Sequence, residues 1–446
     1  MPSLMLPGAD GRLARHATRT PAARAEPAPQ RWNRVAYAAA HVVADPLSTL
    51  DPWLAPAIDW DATIAYREHL WRLGFGVAEA MDTAQRGMGL DWTSSLELIR
   101  RSLAAARAFG GPGGPPRVAS GAGTDHLAPG ANLTIAQVIA AYEQQIEAIE
   151  ALGGRLILMA SRALAACARG PDDYGRVYDH LLAQVREPVI IHWLGDMFDP
   201  ALAGYWGHAD SDAAMDVAVE VLNRNAAKVD GVKISLLDKD KEIAMRRRLA
   251  DGIRMYTGDD FNFAELIAGD AHGHSDALLG IFDAIAPAAA EALGALAGGD
   301  TDRFHRILAP TVPLSRHVFG TPTRFYKTGV VFMAWLNGHQ RHFVMVGGQQ
   351  SARHIVHLAE IFRLADAAGL LADPELACAR MAGLLAVHGI DAAVRPGDAA
   401  SASGAAPGGT TPSAETARPA ETARPAETVP PAAETGTGSP AQRAGA

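Results

Sequence analysis

The stretch Pro188-Val-Ile-Ile-His-Trp-Leu-Gly195, followed after a segment of helical period by Asp230-Gly-Val-Lys-Ile-Ser-Leu-Leu-Asp238, decides how the chain reads. Each is a short, largely β-branched apolar run bounded by turn residues, the pattern of a strand buried on both faces of a parallel sheet. Side chains alternate along a strand. Val189, Ile191, Val232 and Ile234 therefore face a helical layer, while Ile190, His192, Lys233 and Ser235 face the opposite way. An ammonium inside such a sheet is costly to bury and asks for a reason.

Outward from this pair, the same alternation of short apolar runs and longer helical segments recurs along the chain. Strands are expected at 35–43, 75–80, 117–121, 155–160, 188–194, 231–235, 253–257 and 273–279. Helices fall between them, for example at 61–73, 93–109 and 134–152, the last opened by Thr134 as an N-cap. Eight strand-plus-helix units within residues 32–286 predict an α/β fold, a closed (β/α)8 TIM barrel. The inward parity then places His192 and Lys233 inside the barrel, with His192 near a strand's C-terminal end, where barrel enzymes build their sites.

Beyond residue 286 the strand signals stop. Segments 288–297, 302–308, 325–337, 352–368 and 374–388 read as helices, which makes 287–394 a C-terminal helical extension expected to pack on the barrel's side or to mediate assembly. Residues 1–31, rich in Ala, Pro and Arg, are expected to be a disordered leader. Residues 395–446, rich in Ala, Pro, Thr and Glu, contain a repeated six-residue unit and too few large apolar residues to bury a core, so a disordered tail is expected.

Hydrophobic residues make up 48% of the chain and charged residues 20%, enough for a large core. A net charge of −9 with no block of Lys or Arg argues against nucleic-acid binding and against a polybasic membrane patch. No run approaches the roughly 20 apolar residues that span a bilayer, and the N-terminus lacks the pattern of a signal peptide. The two cysteines, Cys167 and Cys378, support neither a disulfide framework nor a Cys-based zinc site, and a cytoplasmic protein is expected.

Lysine usage narrows the chemistry. Of 40 basic residues only five are lysines, at 228, 233, 239, 241 and 327, and four of these sit in polar or turn contexts. Lys233 alone lies in an apolar strand. Burial disfavours its charged form, and a neutral amine attacks carbonyls to form a Schiff base. His192 is placed to move protons. The loop Ala80-Met-Asp-Thr-Ala-Gln-Arg-Gly-Met-Gly-Leu90 brings Asp82, Thr83 and Arg86 to the same face, where backbone N–H groups would hold a carboxylate or phosphate. Thr257-Gly-Asp-Asp260 adds Asp259. Gly269-Asp-Ala-His-Gly-His-Ser-Asp276 invites a competing reading, a metal-dependent barrel using His192, His272, His274 and an aspartate.

Barrel order and lysine together resemble the dihydrodipicolinate synthase and N-acetylneuraminate lyase superfamily. The resemblance spans roughly residues 33 to 370 and rests on Val229-Asp-Gly-Val-Lys-Ile-Ser235, similar to the family's sixth-strand lysine motif. Tyr256-Thr-Gly-Asp-Asp260, Leu266-Ile-Ala-Gly-Asp-Ala-His-Gly273 and the helix opening at Asp59-Trp-Asp-Ala62 support it by their order. The resemblance implies a divergent member, of the kind grouped as a family of unknown function, with Lys233 as Schiff-base lysine and Thr83 in the carboxylate-binding loop. His192 stands where the family keeps a proton-relaying tyrosine. Ala84, Gln85 and Arg86 replace the rest of that loop's motif, and Met159-Ala-Ser-Arg162 replaces a tyrosine pair.

The expectation is thus a Schiff-base-forming lyase of aldolase type acting on a 2-oxo acid or related carbonyl compound. Lys233 and His192 are its catalytic residues, and Thr83, Asp82, Arg86, Arg162, Ser235 and Asp259 bind substrate, with Arg86 and Arg162 as anion binders. No metal and no cofactor are expected. A barrel that binds a metabolite without turning it over is the further alternative. The resemblance also implies a homo-oligomer.

Overall fold

A computed structural model describes residues 1–21, 32–110 and 114–395, all within one compact unit. The chain opens with an antiparallel hairpin, β1 (Ser3–Pro7) and β2 (Leu13–Ala17). Eight parallel strands follow: β3 (Ala36–Ala39), β4 (Gly76–Glu79), β5 (Val118–Ala122), β6 (Arg155–Leu158), β7 (Val189–Leu194), β8 (Val229–Ser235), β9 (Arg254–Thr257) and β10 (Asp276–Leu279). They close in sequence order, β10 pairing with β3, so the (β/α)8 barrel expected from the alternation is what forms. Every expected strand is present within a few residues.

The two periodicities sort the core into two populations. Tyr37, Ala39, Ala78, Ala119, Ile157, Ile190, Tyr256 and Leu278 point inward and fill the barrel, while Val77, Val118, Leu158, Ile191, Val232 and Ile234 pack against the surrounding helices. Helix starts follow from local capping. Asp59, Asp91 and Thr134 accept from backbone N–H groups of the first turn, and Thr134 forms a full capping box with Gln137. Buried Arg67 on the first barrel helix meets Glu79 at the end of β4 through two 2.9 Å hydrogen bonds. That pair fixes the point from which the β4 loop departs.

Two expectations are corrected. Residues 1–21 are an ordered part of the fold: Leu4 and Leu6 are buried, Met5 N–H donates to Ala392 C=O at 2.9 Å, and the Arg363 guanidinium donates to the carbonyls of Leu6 and Pro7. The apolar Leu4-Met-Leu6 run, the part of the leader able to bury surface, is what anchors it. Residues 22–31 and the tail from 396 lie outside the described residues. The C-terminal helices also do more than flank the barrel. The helix Tyr326–Leu336 is almost entirely buried and delivers its first residues to the mouth formed by the strands' C-terminal ends. Among the described residues, no helix is long and apolar enough to cross a membrane.

Candidate active site

β7 and β8 alternate as their sequences predict. His192 and Lys233 are paired in register and both point into the barrel, 1% and 7% exposed. Burial lowers the Lys233 pKa below its ordinary value, while the carboxylates of Asp82 and Asp260 oppose that shift. Burial, reinforced by the Lys233 charge, holds His192 well below the usual imidazole range, so it is neutral at pH 7. Its Nδ1 lies 3.8 Å from Asp82 Oδ2, a contact between a neutral ring and a carboxylate, too long for a hydrogen bond. Its Nε2 is 3.4 Å from Ser235 Oγ.

Gly258, just after β9, is required here. A Cβ at that position would stand 2.9 Å from Lys233 Cε and overlap Ser235 Oγ. Beyond it, two adjacent carboxylates divide the work. Asp259 was expected to bind substrate, but its oxygens accept from the N–H groups of Phe261 and Asn262 and from the Asn262 amide. It braces the turn. Asp260 is the one that acts on Lys233. Its Oδ1 accepts from Ile281 N–H at 2.9 Å, and burial pushes its pKa up to about 7, against the pull of that N–H and of Lys233.

The loop after β4 carries Asp82 and Thr83 on one 3-10 turn, Asp82–Ala84. Thr83 Oγ1 is 2.8 Å from the hydroxyl of Tyr326, which is buried against Phe319 and Phe198. Burial, and the nearby Asp82 carboxylate, raise the Tyr326 pKa well above its ordinary value, so the phenol keeps its proton. Arg86 departs from expectation. Its five N–H donors go to Asp125, Gln145 and the carbonyls of Ala80 and Gly121, which leaves none for a substrate anion. Arg162 is different. Nε donates to Asp199 at 2.5 Å, while its terminal nitrogens pass over Gly87 on the wall of the cavity.

That cavity holds about 580 Å3 of empty space, its open mouth included. Asp82, His192, Arg162 and Asp199 line it together with the apolar Met159, Leu194 and Leu202. Lys233 does not line it, but is paired in register with His192 and lies within reach of the Asp82 charge. The segment after β7 packs against the barrel through its aromatic side chains. Phe198, Tyr205 and Trp206 are buried, and the Tyr205 hydroxyl accepts from Ser161 N–H at 3.0 Å.

The metal reading is corrected. His272 and His274 are exposed in the loop before β10, at the end of the barrel opposite His192. Asp270 pairs there with Arg246 and Arg247, and Asp276 with Arg254. Among the described residues no group of three or more His, Cys, Asp or Glu side chains is placed to hold a metal ion.

Besides Asp260, two site residues escape the sequence reading, Tyr326 and its neighbour Lys327. Lys327 is also buried; its Nζ donates to Arg324 C=O at 3.0 Å, and burial lowers its pKa to about 8. The signal was present in Phe325-Tyr-Lys-Thr-Gly-Val330, where one of five lysines opens an apolar helix.

Solved structures share this fold. A prophage protein of the dihydrodipicolinic acid synthase family from E. coli K12, in complex with pyruvate, superposes with a TM-score of 0.57 at 13% identity, covering 76% of this chain and 99% of its own. The dihydrodipicolinate synthase of Aquifex aeolicus gives 0.54 at 13%, with coverage of 76% and 99%. That of Cyanidioschyzon merolae with lysine bound gives 0.55 at 15%, with coverage of 75% and 98%. No curated protein matches the sequence. A family model matches residues 4–390, nearly the whole described chain, so the hairpin, the barrel and the C-terminal helices together belong to DUF993, described as a protein of unknown function.

Proposed function

We propose that the protein is a lyase of aldolase type in which Lys233 forms an imine with a 2-oxo acid or related carbonyl compound. The observation that carries this reading is a buried lysine beside a neutral imidazole and a carboxyl group titrating at about 7, at the C-terminal mouth of the barrel. Lys233 Nζ attacks the carbonyl carbon, the C–N bond forms, and the carbonyl oxygen leaves as water. Proton transfers at that oxygen and at the adjacent carbon need a group whose pKa lies near the working pH. Asp260 fits that requirement, and His192 passes protons between Lys233 and the cavity. Thr83 and Tyr326 supply a hydroxyl pair, and Arg162, partly exposed on the cavity wall, offers a cation for a substrate's anionic end. The likeness to dihydrodipicolinate synthase folds supports the reaction class. The substrate is a free small molecule, met in the cytoplasm. Self-association is part of the reading, supported by Leu47, Leu50, Trp53 and Leu54, four large apolar side chains exposed within one loop after β3.

The test is reduction with sodium borohydride in the presence of a panel of 2-oxo acids, aldehydes and hydroxyketones, followed by intact mass. One adduct per chain is expected in the wild type and none in Lys233→Ala. Equal labelling of the variant, or no labelling of the wild type by any compound, overturns the reading and favours a barrel that only binds its ligand.

A further inference from the structure

We infer that the carbonyl compound taken by Lys233 carries a hydroxymethyl-type carbon, not a carboxylate, on its carbonyl carbon, and that Asp82 reads that carbon's hydroxyl. This inference rests on the imine reading above and narrows its substrate. The charges that act on Lys233 are the carboxylates of Asp82 and Asp260, with no guanidinium among them. Asp82 Oδ2 is shielded from solvent and has no hydrogen-bond partner, and His192 Nδ1, 3.8 Å away, has none either. Arg86, the arginine on the same loop, has every donor occupied. Lys327 donates to the Arg324 carbonyl and Arg162 donates through Nε to Asp199, and neither is among the charges that act on Lys233.

A 2-oxo acid bears its carboxylate directly on the carbonyl carbon. With that carbon at Lys233 Nζ, the carboxylate would bring only acceptor oxygens toward Asp82 Oδ2, which has no donor and would stay unsatisfied. A hydroxyl in the same place donates to Asp82 Oδ2, a charge-assisted hydrogen bond of the strong kind. The imine step itself is unchanged. The amine adds to the ketone carbon, the carbonyl oxygen takes two protons and leaves as water, and the resulting iminium cation gains from the Asp82 charge. Nothing is oxidised until borohydride reduces the iminium in the assay.

Hydroxyacetone and pyruvate make a matched pair, alike except for CH2OH in place of the carboxylate. The rate of borohydride-dependent labelling is measured for both on wild type and on Asp82→Asn, with thermal melts to verify folding. The readout is the hydroxyacetone-to-pyruvate rate ratio in wild type divided by that in the variant, which cancels the intrinsic reactivity of the two ketones. A value of about tenfold or more is expected for one hydrogen bond to a charged group. Pyruvate labelling that equals or exceeds that of hydroxyacetone in wild type, with a ratio unmoved by Asp82→Asn, overturns the inference and leaves the imine reading standing. Should Asp82→Asn not fold, Asp82→Ser takes its place in the same ratio. Absence of label from both ketones and from the wider panel overturns the imine reading and this inference with it.

Discussion

Gly258 sets the room available to Lys233. Replacing it with alanine would put a methyl group 2.9 Å from Lys233 Cε and nearer still to Ser235 Oγ and the Ile234 carbonyl, so the end of β8 must shift together with the lysine stem. Gly258→Ala is expected to lose most of the borohydride-trapped adduct while keeping a cooperative thermal transition; an undiminished adduct would show that the lysine reaches substrate by another path. How much of this was legible depends on what each residue's role draws on. Lys233 and His192 were readable because strand parity is a local property and a charge in an apolar run is conspicuous. Arg86 and Asp259 misled, because nothing in the local sequence shows that Asp125, Gln145 and the Asn262 turn consume their hydrogen bonds. Asp260, one residue on from Asp259, is the member of that pair whose charge acts on Lys233. Which of two adjacent carboxylates faces the lysine is decided by the turn they share.

At the scale of elements, the helix Lys239–Arg246 reaches the two last strands through one side chain. Glu242 accepts from Thr257 Oγ1 at 2.9 Å and from Ser275 Oγ at 2.7 Å. Burial pushes its pKa up to about 8, against those two hydrogen bonds. The folded state therefore keeps a proton that the unfolded chain releases near its ordinary value of 4.5. Stability contributed by the protonated form is fully present below pH 4.5 and is lost as pH rises through about 8, by an amount on the order of a few kcal/mol. Glu242→Gln removes that ionisation. Its melting temperature is expected to vary less than the wild type's between pH 5 and 9 and to exceed it at pH 9; parallel curves for the two proteins would refute the assignment. Elements themselves were the most legible level of the fold, since β-branched runs, N-caps and helical periods are all local signals. The helix Tyr326–Leu336 was legible as a helix but not as part of the site. Its position over the barrel mouth is a tertiary fact carried by contacts such as Thr83 with Tyr326 and Gln85 with Val346, which join segments far apart in sequence.

At the scale of the whole molecule, the described chain is tied end to end. The first hairpin docks on the last helices, where Asp366 takes hydrogen bonds from His16 and from Arg19 N–H. Leu6 is fully buried in that seam. Leu6→Ala is expected to cost about 2–5 kcal/mol, read as a shift of the denaturation midpoint, and a change within error would mean that the hairpin folds onto the body without supporting it. This seam was invisible in composition, because a leader rich in Ala, Pro and Arg differs from a disordered one only by a three-residue apolar run. The same tertiary closure brings a second buried lysine, Lys327, close enough to the cavity for Asp82 and Asp199 to act on its charge, with a pKa of about 8. Two buried amines, Lys233 and Lys327, are therefore candidates for the attack on the carbonyl. Peptide mapping of the borohydride-reduced wild-type adduct answers this directly. Label confined to the peptide that holds Lys233 is the expected result; label on the peptide that holds Lys327, with Lys233 unmodified, would contradict it.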